Sequence, residues 1–278
     1  MSLVAAIQMT SGVDVNRNLE SAALMLRGAR AQGATLAALP ENFAFMGRGE
    51  EAKLSVAEAY GSGPIQAFLG QAARDHGLWI VAGTVPIRVP GEPRVAAACL
   101  VYDPLGEVVA RYDKIHLFDV DVPGKLESHR ESRSVHPGGT TVVVDTPLGR
   151  LGLAVCYDVR FPELFRALLA EGAEWFVLPS AFTVPTGRAH WEILLRARAI
   201  ENFCHVVAPA QSGFHENGRE THGDSMIVDP WGRILKRLPR GTGVITAELD
   251  LARQRRLRQD FPAVAHRRLA LAAPRQES

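Results

Sequence analysis

A six-residue segment that occurs twice constrains this chain more than any other feature. Val101-Tyr102-Asp103-Pro104-Leu105-Gly106 returns as Ile227-Val228-Asp229-Pro230-Trp231-Gly232. Each copy runs two apolar residues into an Asp-Pro-x-Gly turn, the pattern of a hairpin. Other echoes keep the same order: Gly33-Ala34 to Leu39-Pro40 matches Gly172-Ala173 to Leu178-Pro179, and Ile80-Val81-Ala82 matches Val206-Val207-Ala208. Such self-similarity points to a duplicated unit whose halves share one core. The plainer alternative is that α/β chains all contain loosely similar strands and turns.

Short apolar runs alternate with helical stretches, which is the α/β pattern. The spacing predicts strands over 3–8, 35–39, 78–83, 96–103 and 107–113, with helices over 18–32 and 64–76. The second half predicts strands over 151–155, 175–178, 204–208, 225–229 and 233–237, with helices over 162–170 and 191–202. Pro64 and Pro162 stand where a helix tolerates proline, and Gly33, Gly77 and Gly172 stand where helices stop. The expectation is a single α/β domain over 1–278, two sheets face to face with helices outside, and a C-terminal arm over about 250–278. That arm carries Arg253, Arg255, Arg256, Arg258, Arg267 and Arg268, interleaved with Leu257, Phe261, Val264 and Leu269. It reads as a solvated helix docked on the domain or on a partner subunit, the alternative being an acidic partner.

Charge narrows the function. With 31 Lys+Arg against 30 Asp+Glu, the net charge of +1 gives no case for nucleic acid or an anionic membrane as partner. No apolar run approaches the ~20 residues that span a bilayer. The opening stretch lacks a basic n-region and reads as a strand rather than a signal peptide. Three cysteines cannot all pair with one another, which fits a reducing, cytoplasmic setting.

Those cysteines differ. Cys99 and Cys204 lie in apolar strands and read as small core hydrophobes. Cys156 ends a strand and is followed by Tyr157-Asp158-Val159-Arg160-Phe161-Pro162-Glu163, which opens a helix. A thiol there meets free backbone N–H groups and a positive dipole, with Arg160 as a nearby cation, all of which favour thiolate. A base is needed, and the nine histidines offer no distinctive flanking pattern. Glu41, at the mouth of the apolar strand 35–39, is the candidate, since partial desolvation raises a carboxyl toward useful basicity; the bland reading is an exposed loop glutamate. Lys114, in Tyr112-Asp113-Lys114-Ile115-His116-Leu117-Phe118, follows a strand among apolar groups. Burying an ammonium is costly unless it is paired. Glu41 could pair with it, and Lys114 could stabilise an oxyanion.

The three segments together resemble the nitrilase (carbon–nitrogen hydrolase) superfamily, and its Nit branch in particular. The matching stretches are Leu39-Pro40-Glu41-Asn42, Tyr112 through Asp119, Ala154 through Glu163, Pro179-Ser180-Ala181-Phe182, Thr186 through Glu192, Arg196 through Glu201, and Asp229-Pro230-Trp231-Gly232. The resemblance implies a four-layer α-β-β-α sandwich and a Glu41–Lys114–Cys156 triad. It also implies a second glutamate after the lysine, in an Arg-Glu-Ser setting followed by Pro-Gly. Arg130-Glu131-Ser132 with Pro137-Gly138 fits, at a spacing one residue longer, and Glu127 with Ser128 is the alternative.

By that resemblance, Glu41 takes the Cys156 proton, the thiolate attacks an amide carbonyl, and Lys114 with the backbone N–H of Tyr157 holds the oxyanion. A thioester then hydrolyses to acid, with ammonia as the other product. No metal or organic cofactor is expected, and homo-oligomers are usual. Arg160, Phe182 and Thr186 would line the pocket, Arg160 facing a substrate carboxylate; the alternative for Arg160 is a salt bridge to Asp158 or Glu163. Within the branch, deaminated glutathione amidase and ω-amidase on α-ketoglutaramate or α-ketosuccinamate compete. The run from Asp224 to Gly232 favours the former, although Asp224 stands where that type usually has His. A nitrilase, a carbamoylase or other amidase, and a non-catalytic Nit-like interaction module are the rivals. The Cys-Tyr-Asp-x-Arg-Phe-Pro context argues for an amidase, and the intact Glu41, Lys114 and Cys156 argue against a dead module. Dinucleotide, phosphate-loop and zinc motifs fail on spacing at Gly61-Ser62-Gly63, Gly241-Thr242-Gly243, Pro123-Gly124-Lys125 and His215 with His222.

Overall fold

The duplicated hexapeptide folds the same way twice. In the computed structural model, which describes residues 3–121 and 128–269, Asp103 and Asp229 each close a turn. The Asp103 carboxylate accepts from the N–H groups of Leu105 and Glu107, and that of Asp229 accepts from those of Trp231 and Arg233, all at 2.8–3.0 Å. Gly106 and Gly232 both sit at φ +80°, a left-handed conformation that glycine adopts without penalty. Even the irregularity is copied: the strand register shifts between Val101 and Tyr102 in one hairpin and between Ile227 and Val228 in the other.

Each turn belongs to a sheet of the same plan. In the first, Leu3–Gln8, Ala34–Ala38 and Trp79–Val81 run parallel, followed by antiparallel Val95–Tyr102, which pairs in turn with Val85–Arg88 and Val108–Asp113. In the second, Gly149–Leu153, Trp175–Val177 and His205–Ala208 run parallel, followed by antiparallel Ser225–Val228 and Ile234–Leu238, with Val143–Thr146 at the far edge. Strand Gly243–Glu248 crosses back to pair antiparallel with Leu3–Gln8, so the chain's end completes the first sheet.

Alternation along the strands builds the layers. Val4, Ala6, Leu36, Ala38, Cys99 and Val101 turn inward and share one apolar core with Leu151, Leu153, Trp175, Val177, Val207 and Ile227 of the second sheet. Ala5, Ile7, Ala37, Leu39, Ala98 and Leu100 turn outward, onto helices α1 (Val15–Ala31) and α2 (Pro64–His76). Helices α3 (Pro162–Ala170) and α4 (Glu192–Asn202) cover the other sheet with Leu164, Phe165, Leu168, Leu195 and Ala199. The result is the four-layer α-β-β-α sandwich expected from the sequence. Helices α2 and α3 occupy the anticipated ranges, whereas α1 starts three residues earlier because the Asp14 carboxylate caps the N–H of Arg17.

The arm is in part a docked helix, α5 (Leu251–Asp260). Gln254 is buried beneath it and pairs with the backbone N–H and ring of His205, while its amide donates to the Glu174 carbonyl at 2.7 Å. Residues 270–278, Pro123-Gly124-Lys125 and Glu127 lie outside the described residues. Among the described residues, no helix is long and apolar enough to cross a membrane.

Candidate active site

Parallel strands deliver their following loops to one end of the sheets, where ligand sites form in α/β proteins. Glu41 follows Ala34–Ala38 by way of Leu39-Pro40, and Cys156 follows Gly149–Leu153 by way of Ala154-Val155. Lys114 comes directly after Val108–Asp113, and Glu131 directly after the short strand Ser128–Arg130. All four side chains are buried.

The Lys114 ammonium donates to Glu41 Oε1 and to Glu131 Oε2, both at 2.8 Å. The same Glu131 oxygen accepts from the N–H of Phe118 at 2.8 Å. Burial alone would strip the proton from Lys114, but the facing carboxylates of Glu131 and Glu41 outweigh it and hold the amine charged. Burial pushes the Glu131 carboxyl up; Lys114, Lys53 and the Phe118 N–H pull harder the other way and bring it down to about 2.

Cys156 behaves differently from the sequence expectation. It opens a single turn of 3-10 helix, Cys156–Arg160, rather than a long helix, and its thiol is pushed well above the ordinary range. Burial is the largest cause and the adjacent Glu41 carboxylate the next; Lys114 and the N–H of Ala181 pull down without prevailing. Both raising causes favour the protonated thiol over a standing thiolate.

The loop carrying the sulfur is held under strain. Cys156 sits at φ +50°, a region that non-glycine residues rarely occupy unless their surroundings fix them. The fixing group is Asp158, whose side chain is fully buried. It accepts from the N–H of Val155 at 2.8 Å, from the Tyr112 hydroxyl at 2.7 Å, and from the N–H of His116 at 3.1 Å. The Cys156 N–H donates to the Pro179 carbonyl at 2.9 Å. The Glu41 loop has matching supports: Asn42 at φ +56° donates its N–H to the Thr84 hydroxyl, and the buried Gln211 amide donates to the Glu41 carbonyl.

A narrow cavity of about 40 Å³ opens onto this cluster. Tyr157, Phe182 and Thr186 stand on its wall. Arg160 does not line it. Its guanidinium lies 5.6 Å from the Tyr157 ring centre and 5.4 Å from that of Phe182, with His190 Nδ1 at 3.2 Å. The salt bridge to Asp158 or Glu163 does not form; Asp158 is engaged with Val155, Tyr112 and His116. Lys53 and Arg219 line the cavity and escaped the sequence reading, because exposed-looking cations in loops carry no local pattern. Asp224 lies away from the cavity and pairs with Arg237 through both carboxylate oxygens. Among the described residues, no group of three His, Cys, Asp or Glu side chains is arranged to hold a metal ion.

The arrangement can exchange a proton between Cys156 and Glu41 beside a fixed positive charge, which is the equipment for acyl transfer. Comparison with known proteins agrees. The carbon-nitrogen hydrolase family model matches residues 3–259. A deaminated glutathione amidase from Synechocystis sp. is 45% identical over 269 residues, covering 95% of this chain and 97% of that protein. The crystal structure of the NitFhit protein of C. elegans superposes with a TM-score of 0.89 at 40% identity, over 96% of this chain and 65% of that one. An amidase from Nesterenkonia sp. AN1, solved with acrylamide added to its active-site cysteine, superposes with a TM-score of 0.77 at 29% identity, over 94% of this chain and 100% of that one. The chain belongs to the carbon-nitrogen hydrolase family.

Proposed function

We propose that this protein is a cysteine amidase acting on deaminated glutathione, with Glu41, Lys114, Cys156 and Glu131 carrying the chemistry. The supporting observation is the buried Lys114 ammonium bonded to Glu41 and Glu131 at 2.8 Å, on the same cavity that Cys156 lines. The name borne by the Synechocystis relative supports the choice of substrate.

In this reading, Glu41 accepts the Sγ proton as the sulfur attacks the amide carbonyl. Because the resting thiol is protonated, attack and proton transfer are coupled. The tetrahedral oxyanion is held by the Lys114 ammonium and the Tyr157 N–H. Glu41 then returns the proton to the departing nitrogen, the C–N bond breaks, and a thioester remains on Cys156. Water, losing its proton to Glu41, attacks the thioester and releases the acid and the free thiol. Glu131 keeps Lys114 in place throughout. Phe182 and Thr186 form the wall for the acyl part, and Arg160, which has no acidic partner among the described residues, supplies positive potential for an acyl-end carboxylate.

The leaving group corrects one sequence expectation. In deaminated glutathione the scissile nitrogen belongs to a cysteinylglycine unit, so the second product is a dipeptide amine. Ammonia would be the product only from ω-amides such as α-ketoglutaramate.

The protein is further read as a cytoplasmic homo-oligomer. Its three cysteines are free thiols, as a reducing compartment keeps them. Ile193 and Ile200 on one face of α4, and the contacting pair Trp231 and Phe261, expose 44–69% of their surface, apolar groups of the kind that subunits cover. A monomer in light scattering at working concentration would contradict this.

The functional reading is tested by offering the wild type and Cys156→Ala both deaminated glutathione and α-ketoglutaramate, and measuring keto acid, dipeptide and ammonia released. Preference for deaminated glutathione, absent in the variant, is expected. Preference for α-ketoglutaramate would transfer the assignment to an ω-amidase, and turnover by the variant would remove Cys156 as nucleophile.

A further inference from the structure

A second cavity, of about 340 Å³, adjoins the first and shares with it Asn42, Glu50, Lys53, His129 and Arg219. Its outer wall comes from the loop Phe45-Met46-Gly47. Three charged side chains and one histidine stand at the junction, and their pairing is uneven. Glu50 is engaged by the His129 ring at 3.4 Å and, more loosely, by Lys53 at 4.0 Å. Its carboxyl is held below the ordinary range, first by His129 and then by Lys53 and Arg219. The Arg219 guanidinium, by contrast, makes no hydrogen bond or ion pair among the described residues; only its backbone is engaged, its N–H on Asn217 Oδ1 at 2.9 Å and its carbonyl on the N–H of His215 at 2.9 Å.

That backbone anchoring is firm. Asn217 Nδ2 donates to the Gly47 carbonyl at 2.8 Å, tying the turn before Arg219 to the loop that forms the cavity's outer wall. The His215 ring, buried beneath the same turn, is bonded to the Ser11 carbonyl and the Thr221 hydroxyl. A rigid turn thus presents an uncommitted guanidinium to a cavity that continues from the nucleophile. Guanidinium groups form paired hydrogen bonds with carboxylates, and partly dehydrated sites strengthen them.

We propose that this second cavity is a subsite for the far end of the substrate, and that Arg219, with Lys53 as a second cation, binds a carboxylate carried by the amine leaving group. The inference rests on the amidase reading and adds the residues that recognise the carboxylate end of its dipeptide leaving group. Glu50, turned to His129 and Lys53, would repel such an anion if it were unpaired; its two partners remove that obstacle.

The experiment compares deaminated glutathione with its C-terminal carboxamide, which differs only in that one charge, in wild type, Arg219→Met and Arg219→Lys. The wild type should favour the free acid by about tenfold to a hundredfold in kcat/KM, carried by KM, the size expected for a charge-assisted pair. Arg219→Met should bring that ratio close to one, and Arg219→Lys should restore part of it. A wild-type ratio near one, or a ratio that Arg219→Met leaves intact, overturns the subsite while leaving the amidase reading standing. Failure of the wild type to cleave either compound overturns both.

Discussion

Lys114 bonds Glu41 and Glu131 at the same distance, 2.8 Å, so one ammonium links the candidate base to a second carboxylate. The trio carries two negative charges and one positive, all buried. Such an arrangement holds only while each member is paired, since removing one partner leaves an uncompensated buried charge or donor.

Replacing Glu131 with Gln keeps an acceptor for the Phe118 N–H but removes the charge that steadies Lys114. Turnover should fall by about 10²-fold or more, the scale seen when an oxyanion-stabilising group is disturbed, with KM changing less. Steady-state kinetics on the purified variant checks this; an unchanged kcat would show that Lys114 keeps its position without Glu131.

The depressed Glu131 carboxyl also makes stability depend on pH. A carboxyl whose folded value lies near 2, below its unfolded value, contributes stability that is full above about pH 4.3 and lost as pH falls toward 2. Denaturant midpoints should therefore drop across that window in the wild type and less steeply in Glu131→Gln. Parallel curves for the two proteins would contradict the assignment.

The Cys156 thiol is raised by burial and then by Glu41. Removing the Glu41 charge should therefore lower its titration, even as catalysis is lost. In Glu41→Gln, thiolate absorbance or alkylation by iodoacetamide should rise at lower pH than in the wild type. A midpoint moved upward would mean that Glu41 does not face the sulfur.

Asp158 accepts from Val155, Tyr112 and His116 and so fixes the loop in which Cys156 is strained. Asp158→Ala leaves buried donors unmatched at about 1–3 kcal/mol each, which corresponds to a Tm lower by roughly 5 °C or more. The wild type and the variant differ in one residue, so a scanning thermal melt decides it.

At the far side of the fold, two neighbours on α5 should separate cleanly. Gln254→Ala removes the buried partner of His205 and should cost about 1–3 kcal/mol. Arg255→Ala breaks only the ion pair with Glu174 at 2.7 Å, whose arginine side chain is 61% exposed, and should change stability by less than about 0.5 kcal/mol. Urea midpoints of the two variants test the contrast.

Much of this was legible in the residues because it is written locally. The Asp-Pro-x-Gly turns, the proline at the first turn of α2 and α3, and the strand-ending Glu41, Lys114 and Cys156 each carry their signal within a few neighbours. The closing strand Gly243–Glu248 was missed because its meaning lies in pairing with Leu3–Gln8, far away in the chain. The state of the Cys156 thiol was misjudged for a related reason: the turn after it was visible, but the burial and the Glu41 charge that outweigh the turn's dipole arrive from other elements. Arg160, expected to face either the substrate or an acid, packs instead over two aromatic rings, and Arg219 reaches the cavity from a turn with no motif of its own.

The central claim is that Cys156 forms a covalent acyl intermediate. Intact-protein mass spectrometry on enzyme quenched with acid during turnover of deaminated glutathione tests it most directly. The account predicts a mass increase equal to the keto-acyl group, mapped to Cys156 by peptide analysis and absent in Cys156→Ala. Continued turnover by Cys156→Ala, or an adduct mapping to Cys99 or Cys204 instead, would contradict it.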